Sequence, residues 1–206
     1  MKRSIWVLSV FSLLTAGIFS PAMGAGGVKC GTTLSSFGTP AVAAHANLDN
    51  PHESCDGWGT YGLQYQCVEY VRRFYFLVKG IETREGKMER RWNGNANTYF
   101  KTAAQKGLDA FENGGKIRPQ PEDIITFAGG PYGHVAIITA VLPDRIEFIE
   151  QNFSPTGTGT LAYNPVTNFV ENRVVPGDTF VVEGWLRPHA DTIAPPKGPA
   201  EKVANH

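Results

Sequence analysis

The chain has 206 residues, of which 42% are hydrophobic and 18% are charged, and its formal net charge is +0. That length suits one well-cored domain and is short for two, and glycine and proline are too sparse for a low-complexity chain. The balanced charge argues against nucleic acid as a partner, because a polyanionic backbone selects strongly basic surfaces. We therefore expect one globular domain that is rich in loops.

The N-terminus has the pattern of an export signal. Lys2 and Arg3 precede an apolar run over residues 5–19, and small residues follow it up to Gly24. This run is shorter than the roughly 20 apolar residues that span a bilayer, which disfavours the alternative of a membrane anchor. We expect a signal peptide over residues 1–24 and a secreted or periplasmic mature protein that is monomeric and has no membrane anchor.

The three cysteines are an odd number for an exported protein, so one thiol is either free or paired with another molecule. Cys30 and Cys55 lie in a loop-like N-terminal third, and Cys67 lies in an apolar helical pattern. If Cys30 and Cys55 form a disulfide in an oxidising compartment, Cys67 is the remaining thiol. The alternative is that Cys30 and Cys55 are both free. Taken alone, Cys67 is more often an inert core residue than a reactive one.

The first half of the chain predicts loops and then helices. Residues 28–65 lack sustained periodicity, which predicts a loop-rich wrap with one short helix near residues 39–46. The clearest helix is predicted over residues 66–79, with Gly80 as its C-cap, and a second helix over residues 96–106. The stripe of the first helix that we expect to be buried consists of Cys67, Val71, Phe74 and Val78, and the residues off this stripe include Arg72, Arg73 and Lys79.

The second half of the chain predicts strands. These are expected over residues 123–127, 134–141, 145–152 and 179–186. Helices followed by strands are typical of an α+β domain. Residues 189–206 lack the apolar content needed to fold, so we expect a disordered tail there.

Cys67 meets the first requirement of a thiol nucleophile. In the first turn of a helix, the helix dipole and nearby backbone N–H groups stabilise a thiolate and lower its pKa. The second requirement is a base, and His134 opens an apolar strand directly after the glycine-rich loop 129–133. A lone histidine in such a strand is more often a core residue. The hypothesis therefore needs a third group that orients the base.

The strand predicted over residues 145–152 offers candidates for that third group. One face of this strand carries Ile146, Phe148, Glu150 and Asn152. A carboxylate that continues an apolar row is costly unless something pairs with it. If residues 142–144 form a three-residue turn, His134 lies opposite Asn152 and diagonal to Glu150, within side-chain reach. A two-residue turn would break this alignment.

A metal site is the competing explanation for a cluster of cysteine, histidine and carboxylate. The sequence has no C-x-x-C or H-x-x-x-H spacing, which disfavours zinc. Asp49, Glu53 and Asp56 precede the cysteine segment but lack the D-x-D-x-D spacing of a calcium loop, so we interpret them as solvated loop charges. We expect no metal and no cofactor.

Several ordered motifs now support a family resemblance. They are YQCVEYVRRF at residues 65–74, GHVAII at 133–138 and EQN at 150–152, with PEDII at 121–125 and GWLRP at 184–188. Together they resemble the CHAP family, whose name stands for cysteine, histidine-dependent amidohydrolase/peptidase. Their order is most similar to that of the glutathionylspermidine amidases within it. The resemblance covers residues 39–188 and leaves residues 25–38 as an N-terminal extension.

The resemblance implies a papain-like fold in which N-terminal helices pack on an antiparallel sheet. The implied roles are nucleophile for Cys67, base for His134, orientation of the base for Glu150 and secondary polar support for Asn152. The oxyanion would be met by the backbone N–H of the nucleophile and by an upstream side chain, either Gln64 or Gln66. One departure from the family pattern is Glu122, where many relatives carry glycine in the turn before the first strand.

The function that this resemblance implies is hydrolysis of an amide bond in a peptidoglycan peptide, because export separates the protein from cytosolic substrates. Two alternatives remain open. A small glutathionylspermidine-like amide fits the motifs but not the expected compartment. A catalytically silent wall-binding module would keep the fold without the reaction.

Overall fold

The computed structural model describes residues 28–47, 56–81, 83–84, 87–88 and 92–189. The predicted signal peptide and nearly all of the predicted tail lie outside the described residues. In chain order the elements are β1 (Thr33–Phe37), β2 (Val42–His45), β3 (Trp58–Gly59), β4 (Gly62–Leu63), α1 (Cys67–Lys79), β5 (Thr83–Arg84), β6 (Lys87–Met88), β7 (Leu108–Glu112), β8 (Ile124–Ala128), β9 (His134–Val141), β10 (Arg145–Ile149), β11 (Thr158–Asn164), β12 (Phe169–Val170), β13 (Arg173–Val175) and β14 (Asp178–Pro188).

The expectation of an α+β domain with N-terminal helices packed on a sheet is wrong. The described residues contain one α-helix, about 41% of the structure is strand, and the main sheet curls into an antiparallel half-barrel. The short helix expected near residues 39–46 is instead strand β2, which pairs with β1. The protein is therefore mostly β.

The second predicted helix, over residues 96–106, is also wrong. This segment forms two short 3-10 turns, Ala96–Thr98 and Ala104–Lys106. The Thr98 hydroxyl donates a hydrogen bond to the Asn95 carbonyl, and the Thr102 hydroxyl donates one to the Thr98 carbonyl. Such side-chain bonds compete with regular helical hydrogen bonding. A helical hydrophobic pattern therefore folds here as a series of turns.

Helix α1 confirms the first helix prediction. It runs over Cys67–Lys79 and ends at Gly80, which adopts the left-handed conformation with φ 65°. Tyr70, Phe74 and Tyr75 are fully buried in the core between α1 and the sheet. Arg72 lies off the predicted stripe yet is buried as well. Among the described residues, no helix is both long and apolar enough to cross a bilayer.

The main sheet is antiparallel and runs in the order β12-β11-β10-β9-β8-β14-β13, with β7 also paired to β14. Asn113, directly after β7, connects β12 at one end of this curled sheet to β14 near the other end. Its side chain donates to the carbonyls of Val170 in β12 and Val182 in β14, and accepts a bond from the Val170 N–H. One side chain thus bridges β12 and β14, which are far apart in the strand order, by hydrogen bonds across the curled sheet.

Alternation along β9 separates two cores. Val135 and Ile137 belong to the core that packs against α1, and Ala136 and Ile138 belong to the core inside the curl. Because side chains alternate along a strand, His134 lies on the same face of β9 as Ala136 and Ile138.

The turn between β9 and β10 differs from the expected three residues. It is a two-residue turn formed by Pro143 and Asp144, because the Leu142 N–H bonds to the Arg145 carbonyl across it. A bulge farther along the hairpin then inserts one extra residue into β9. The two differences cancel, so the register beyond the bulge equals the one that the three-residue turn predicted.

We expect Asn113→Ala to lower the free energy of unfolding by about 1–3 kcal/mol, because it leaves buried backbone groups of two strands unpaired. Urea denaturation at pH 7 measures this loss. The control is Asn164→Ala, which removes an exposed side chain that caps only its own turn through the N–H groups of Val166 and Thr167. An equal loss in both variants would contradict a closing role for Asn113.

Candidate active site

Cys67 begins α1 and is the free cysteine of the described residues. The residue before it, Gln66, has extended backbone with φ −80° and ψ 154° and makes no side-chain cap. Tyr65 adopts a left-handed conformation with φ 65°, so the chain turns sharply just before the helix. The thiol is half-buried at the positive end of the helix dipole.

His134 begins β9 and faces the thiol. Its Nε2 lies 2.7 Å from Oε2 of Glu150, which leaves Nδ1 for its hydrogen bond with Cys67. The ring contacts two aromatic side chains, with centroids 5.7 Å from that of Phe127 and 4.6 Å from that of Phe153. These contacts hold the imidazole in one orientation.

Gly133 lets the chain directly before His134 pass close to the backbone of Asn97 and Phe127. It adopts φ +66°, and a Cβ added there would lie 2.7 Å from both the backbone nitrogen of Asn97 and the carbonyl oxygen of Phe127. Only glycine combines this conformation with so close an approach. The glycine-rich loop before the histidine is therefore a geometric requirement of the site.

The electrostatics favour an ion pair between the thiol and the imidazole. Burial is the largest single influence, and on its own it raises the pKa of Cys67 and lowers that of His134. Their mutual hydrogen bond and charge attraction outweigh it, with help from Glu150 on the histidine and from backbone bonds of Val135 and Val68 on the thiol. The pKa of Cys67 falls below 9.0 and that of His134 rises to about 9. These two shifts favour a thiolate beside an imidazolium.

Glu150 follows β10 and is fully buried. Burial alone would raise its pKa, but its bond and charge interaction with His134, and then those with Arg173, bring the pKa below its ordinary value. Within the described part of the chain, its second oxygen, Oε1, is buried with no hydrogen-bond partner. The hydrogen bonds of this carboxylate among the described residues are all made by Oε2.

Arg173 was missed by the sequence reasoning. It lies on β13, and its Nη1 is 2.6 Å from Oε2 of Glu150, the same oxygen that contacts His134. Its guanidinium carbon is also 3.9 Å from the ring centroid of Phe153. No local sequence pattern marks it, because its strand is short and its partner lies 23 residues away.

The two residues after Glu150 tie the sheet to the start of the helix. Gln151 is fully buried and donates to the carbonyl of Gln66 at 3.1 Å and to Oε2 of Glu69 at 2.8 Å. Asn152 donates from Nδ2 to Oε1 of Gln66 at 2.7 Å. The structure thus brings Cys67, His134, Glu150, Asn152 and Gln66 together, and it adds Gln151 to this group.

Two cavities meet at Cys67. The larger has a volume of about 480 Å³ and the smaller about 180 Å³, and Gln66 and Tyr132 line both. Gln64 lines neither of these two cavities and instead lies against Gly59. Of the two glutamines that the sequence left open, this placement favours Gln66 as the side chain beside a developing oxyanion.

Several other expectations fall partly outside the described residues. Cys55 lies outside them, so the disulfide between Cys30 and Cys55 stays a prediction. Asp49 and Glu53 are also outside, whereas Asp56 accepts a hydrogen bond from the Tyr65 hydroxyl.

Glu122, the departure from the family pattern, has φ +73°, the left-handed region that favours glycine. Its backbone N–H donates to the Ile138 carbonyl at 2.7 Å, and its carboxylate pairs with Lys79. Glu122 therefore adopts the left-handed turn conformation that glycine favours.

We expect the midpoint of the pH profile for alkylation of Cys67 by iodoacetamide to lie below the ordinary thiol pKa, because His134 stabilises the thiolate. In His134→Ala, the thiol loses the two largest influences that lower its pKa and keeps only the weaker backbone bonds, so the midpoint should move upward by about one unit or more. Rates measured across pH 5–10 test this expectation. Identical profiles for the two proteins would show that His134 does not stabilise the thiolate.

We expect Arg173→Gln to destabilise the fold by about 2–3 kcal/mol at pH 7, because Glu150 loses a buried charge partner. The lowered pKa of Glu150 gives stability that is present above the ordinary glutamate pKa of about 4.3 and is lost as pH falls through the folded value. In the variant this loss should begin at higher pH.

Thermal melting across pH 3–7 checks both effects. The matched control is Arg145→Gln, an exposed arginine paired with Asp144 and Glu147, where surface pairs contribute little. If the two arginine variants melt alike at every pH, Arg173 does not support the carboxylate.

The sequence of this chain is similar to those of known proteins. The CHAP domain family matches residues 56–152. The bifunctional glutathionylspermidine synthetase/amidase of Escherichia coli (strain K12) is 31% identical over 144 residues, which cover 64% of this chain and 23% of that protein, and the match falls on its amidase domain. Trypanothione synthetase of Crithidia fasciculata is 28% identical over 120 residues, which cover 53% of this chain and 17% of that protein.

The chain therefore spans less than a quarter of the length of these curated relatives. The segment matched by the family contains Cys67, His134 and Glu150, the three residues whose contacts are described above. The match of residues 56–152 to the CHAP domain and the similarity to an amidase indicate a cysteine-dependent amidohydrolase.

Proposed function

We propose that this protein is a secreted or periplasmic amidase that hydrolyses an amide bond in a peptidoglycan peptide through Cys67, His134 and Glu150. The observation that carries the proposal is the contact chain from thiol to imidazole to buried carboxylate, placed where two cavities meet. A cleft with space on both sides of the nucleophile suits a substrate that extends in both directions. The predicted signal peptide supplies the compartment.

The reaction follows from this geometry. The Cys67 thiolate attacks the amide carbonyl carbon, and the carbonyl oxygen becomes an oxyanion that the backbone N–H at the helix start and the Gln66 side chain can meet. The His134 imidazolium gives its proton to the leaving nitrogen, so the C–N bond breaks and a thioester remains. Water, deprotonated by the now neutral imidazole, hydrolyses the thioester and restores the thiol–imidazole pair.

Glu150 supports these steps without forming a bond to the substrate. Its hydrogen bond to Nε2 holds the imidazole so that the opposite nitrogen faces Cys67, and its negative charge stabilises the imidazolium. Asn152 supports the site more remotely, since its amide holds Gln66.

A second candidate substrate is a small amide of the glutathionylspermidine kind, which the similarity to the Escherichia coli synthetase/amidase favours. A catalytically silent wall-binding module is the third possibility. The assembled contacts of Cys67 disfavour it, since such a module does not need a thiolate.

We expect the mature protein to release peptide fragments from purified peptidoglycan, and mass spectrometry of the fragments identifies the bond cut. Cys67→Ala and His134→Ala should each lower the rate by about 10³-fold or more. Glu150→Gln should stay folded with turnover weakened by about 10-fold or more, and Asn152→Ala should cost less than Glu150→Ala.

Glutathionylspermidine is assayed in parallel, and thermal melting accompanies each variant. Hydrolysis of glutathionylspermidine alone would replace the proposed substrate with the second candidate. Full activity in Cys67→Ala would end the cysteine mechanism, and wild-type turnover by Glu150→Ala would remove that residue from the site.

A further inference from the structure

A buried cation lines the larger cavity beside the nucleophile. Arg72 lies on α1, 6% of its surface is exposed, and it lines the cavity of about 480 Å³ together with Cys67. Its Nε donates to the Trp92 carbonyl at 2.9 Å and to the Tyr99 hydroxyl at 3.2 Å, and its Nη1 donates to the Tyr61 carbonyl at 3.1 Å. All of these acceptors are uncharged.

A second buried cation lies behind the first. Lys106 is 2% exposed, and its ammonium lies 4.6 Å from the ring centroid of Tyr99, the residue whose hydroxyl contacts Arg72. This ammonium donates a hydrogen bond to the hydroxyl of Thr102. Burial, and then the charge of Arg72, lower the pKa of Lys106 to about 8, so it is still mainly protonated at neutral pH.

Neither cation pairs with a carboxylate among the residues that the structure describes. A buried charge without an opposite charge is costly, and buried arginine and lysine are normally paired. The described residues that line the larger cavity include no aspartate or glutamate, but do include the amides of Gln66, Asn93 and Asn95. Apart from Cys67, whose negative charge His134 balances, the described lining therefore offers a positive charge and hydrogen-bond donors and contains no carboxylate.

We propose that the larger cavity binds a carboxylate of the substrate, with Arg72 as its counter-ion and the neighbouring amides as further donors. This inference rests on the proposed function, because peptidoglycan stem peptides carry free carboxylates next to their amide bonds. The flank of the substrate that bears the carboxylate then lies in the larger cavity. The other flank lies in the smaller cavity, which Gly129, Gly130 and Phe153 line.

The proposal also sets the orientation of a substrate that carries charges of both signs. A polyamine flank is cationic, so Arg72 repels it from the larger cavity. Trp58, at the edge of this cavity, is 80% exposed and offers an apolar surface to the chain that enters.

A purely structural role for Arg72 is the alternative, since its three hydrogen bonds connect α1 to the segments of Trp92 and Tyr61. Loss of activity in a variant would not separate the two roles. A ratio between two substrates does, because poor folding lowers the turnover of both substrates equally.

The experiment compares two synthetic stem peptides that differ only in a free α-carboxylate or a carboxamide beside the scissile amide. We expect wild-type kcat/KM to favour the carboxylate by about 10-fold or more, the range measured for charge-assisted hydrogen bonds. In Arg72→Gln the preference should fall to about 2-fold or less, and Arg72→Lys should keep part of it. Lys101→Gln, which removes an exposed cation from the same region as Lys106, should keep the wild-type ratio.

Binding without turnover gives an independent result. The two peptides are titrated calorimetrically into the Cys67→Ala protein, alone and combined with Arg72→Gln, and the carboxylate peptide should lose its advantage only in the double variant. Equal kcat/KM and equal affinity of the two peptides for proteins that retain Arg72 would overturn the proposal. Absence of hydrolysis of both peptides and of peptidoglycan would instead contradict the proposed function, and the titration would still decide the charge preference.

Discussion

The site depends on one buried carboxylate oxygen, Oε2 of Glu150. It lies 2.7 Å from Nε2 of His134 and 2.6 Å from Nη1 of Arg173, inside a curl of apolar strands. Burial alone would raise the pKa of this carboxyl and favour its neutral form. Two cationic partners keep it ionised instead, and the ionised carboxylate in turn stabilises the imidazolium. The orientation of His134 toward Cys67, and with it the lowered thiol pKa, follows from this one oxygen.

The residue after Glu150 fixes the other half of the site. Because successive side chains of an extended segment point in opposite directions, Glu150 reaches the histidine while Gln151 reaches the start of the helix. Gln151 bonds to the Gln66 carbonyl and to Glu69, one residue before and two residues after the nucleophile. Neighbouring residues thus set the positions of base and nucleophile. A register shift of one residue at the end of β10 would turn Glu150 toward the helix and Gln151 toward His134. Cys67 and His134 would then lose the contacts that hold them together.

The curl of the sheet explains how Arg173 reaches the site. In strand order, β13 is separated from β10 by β9, β8 and β14, which in a flat sheet would place the two strands far apart. Curling brings the inner faces of these strands together, and the edge-to-face contact of Phe153 with Phe180, centroids 5.0 Å apart, crosses the same space. The same curl of the sheet that Asn113 bridges therefore also brings Arg173 to Glu150 in the candidate site.

The features that can be predicted from the sequence are those whose signal is local. The periodicity of α1 and the alternation of β9 follow from neighbouring residues, and the ordered motifs around Cys67, His134 and Glu150 predicted the candidate site. The tertiary structure decided that residues 96–106 form turns, that a bulge restores the β9–β10 register after a shorter turn, and that Arg72 is buried. It also decided that Arg173 meets the carboxylate. The physical reason is that burial and charge pairing depend on which distant segments the curled sheet brings into contact, and no short stretch of sequence contains that information.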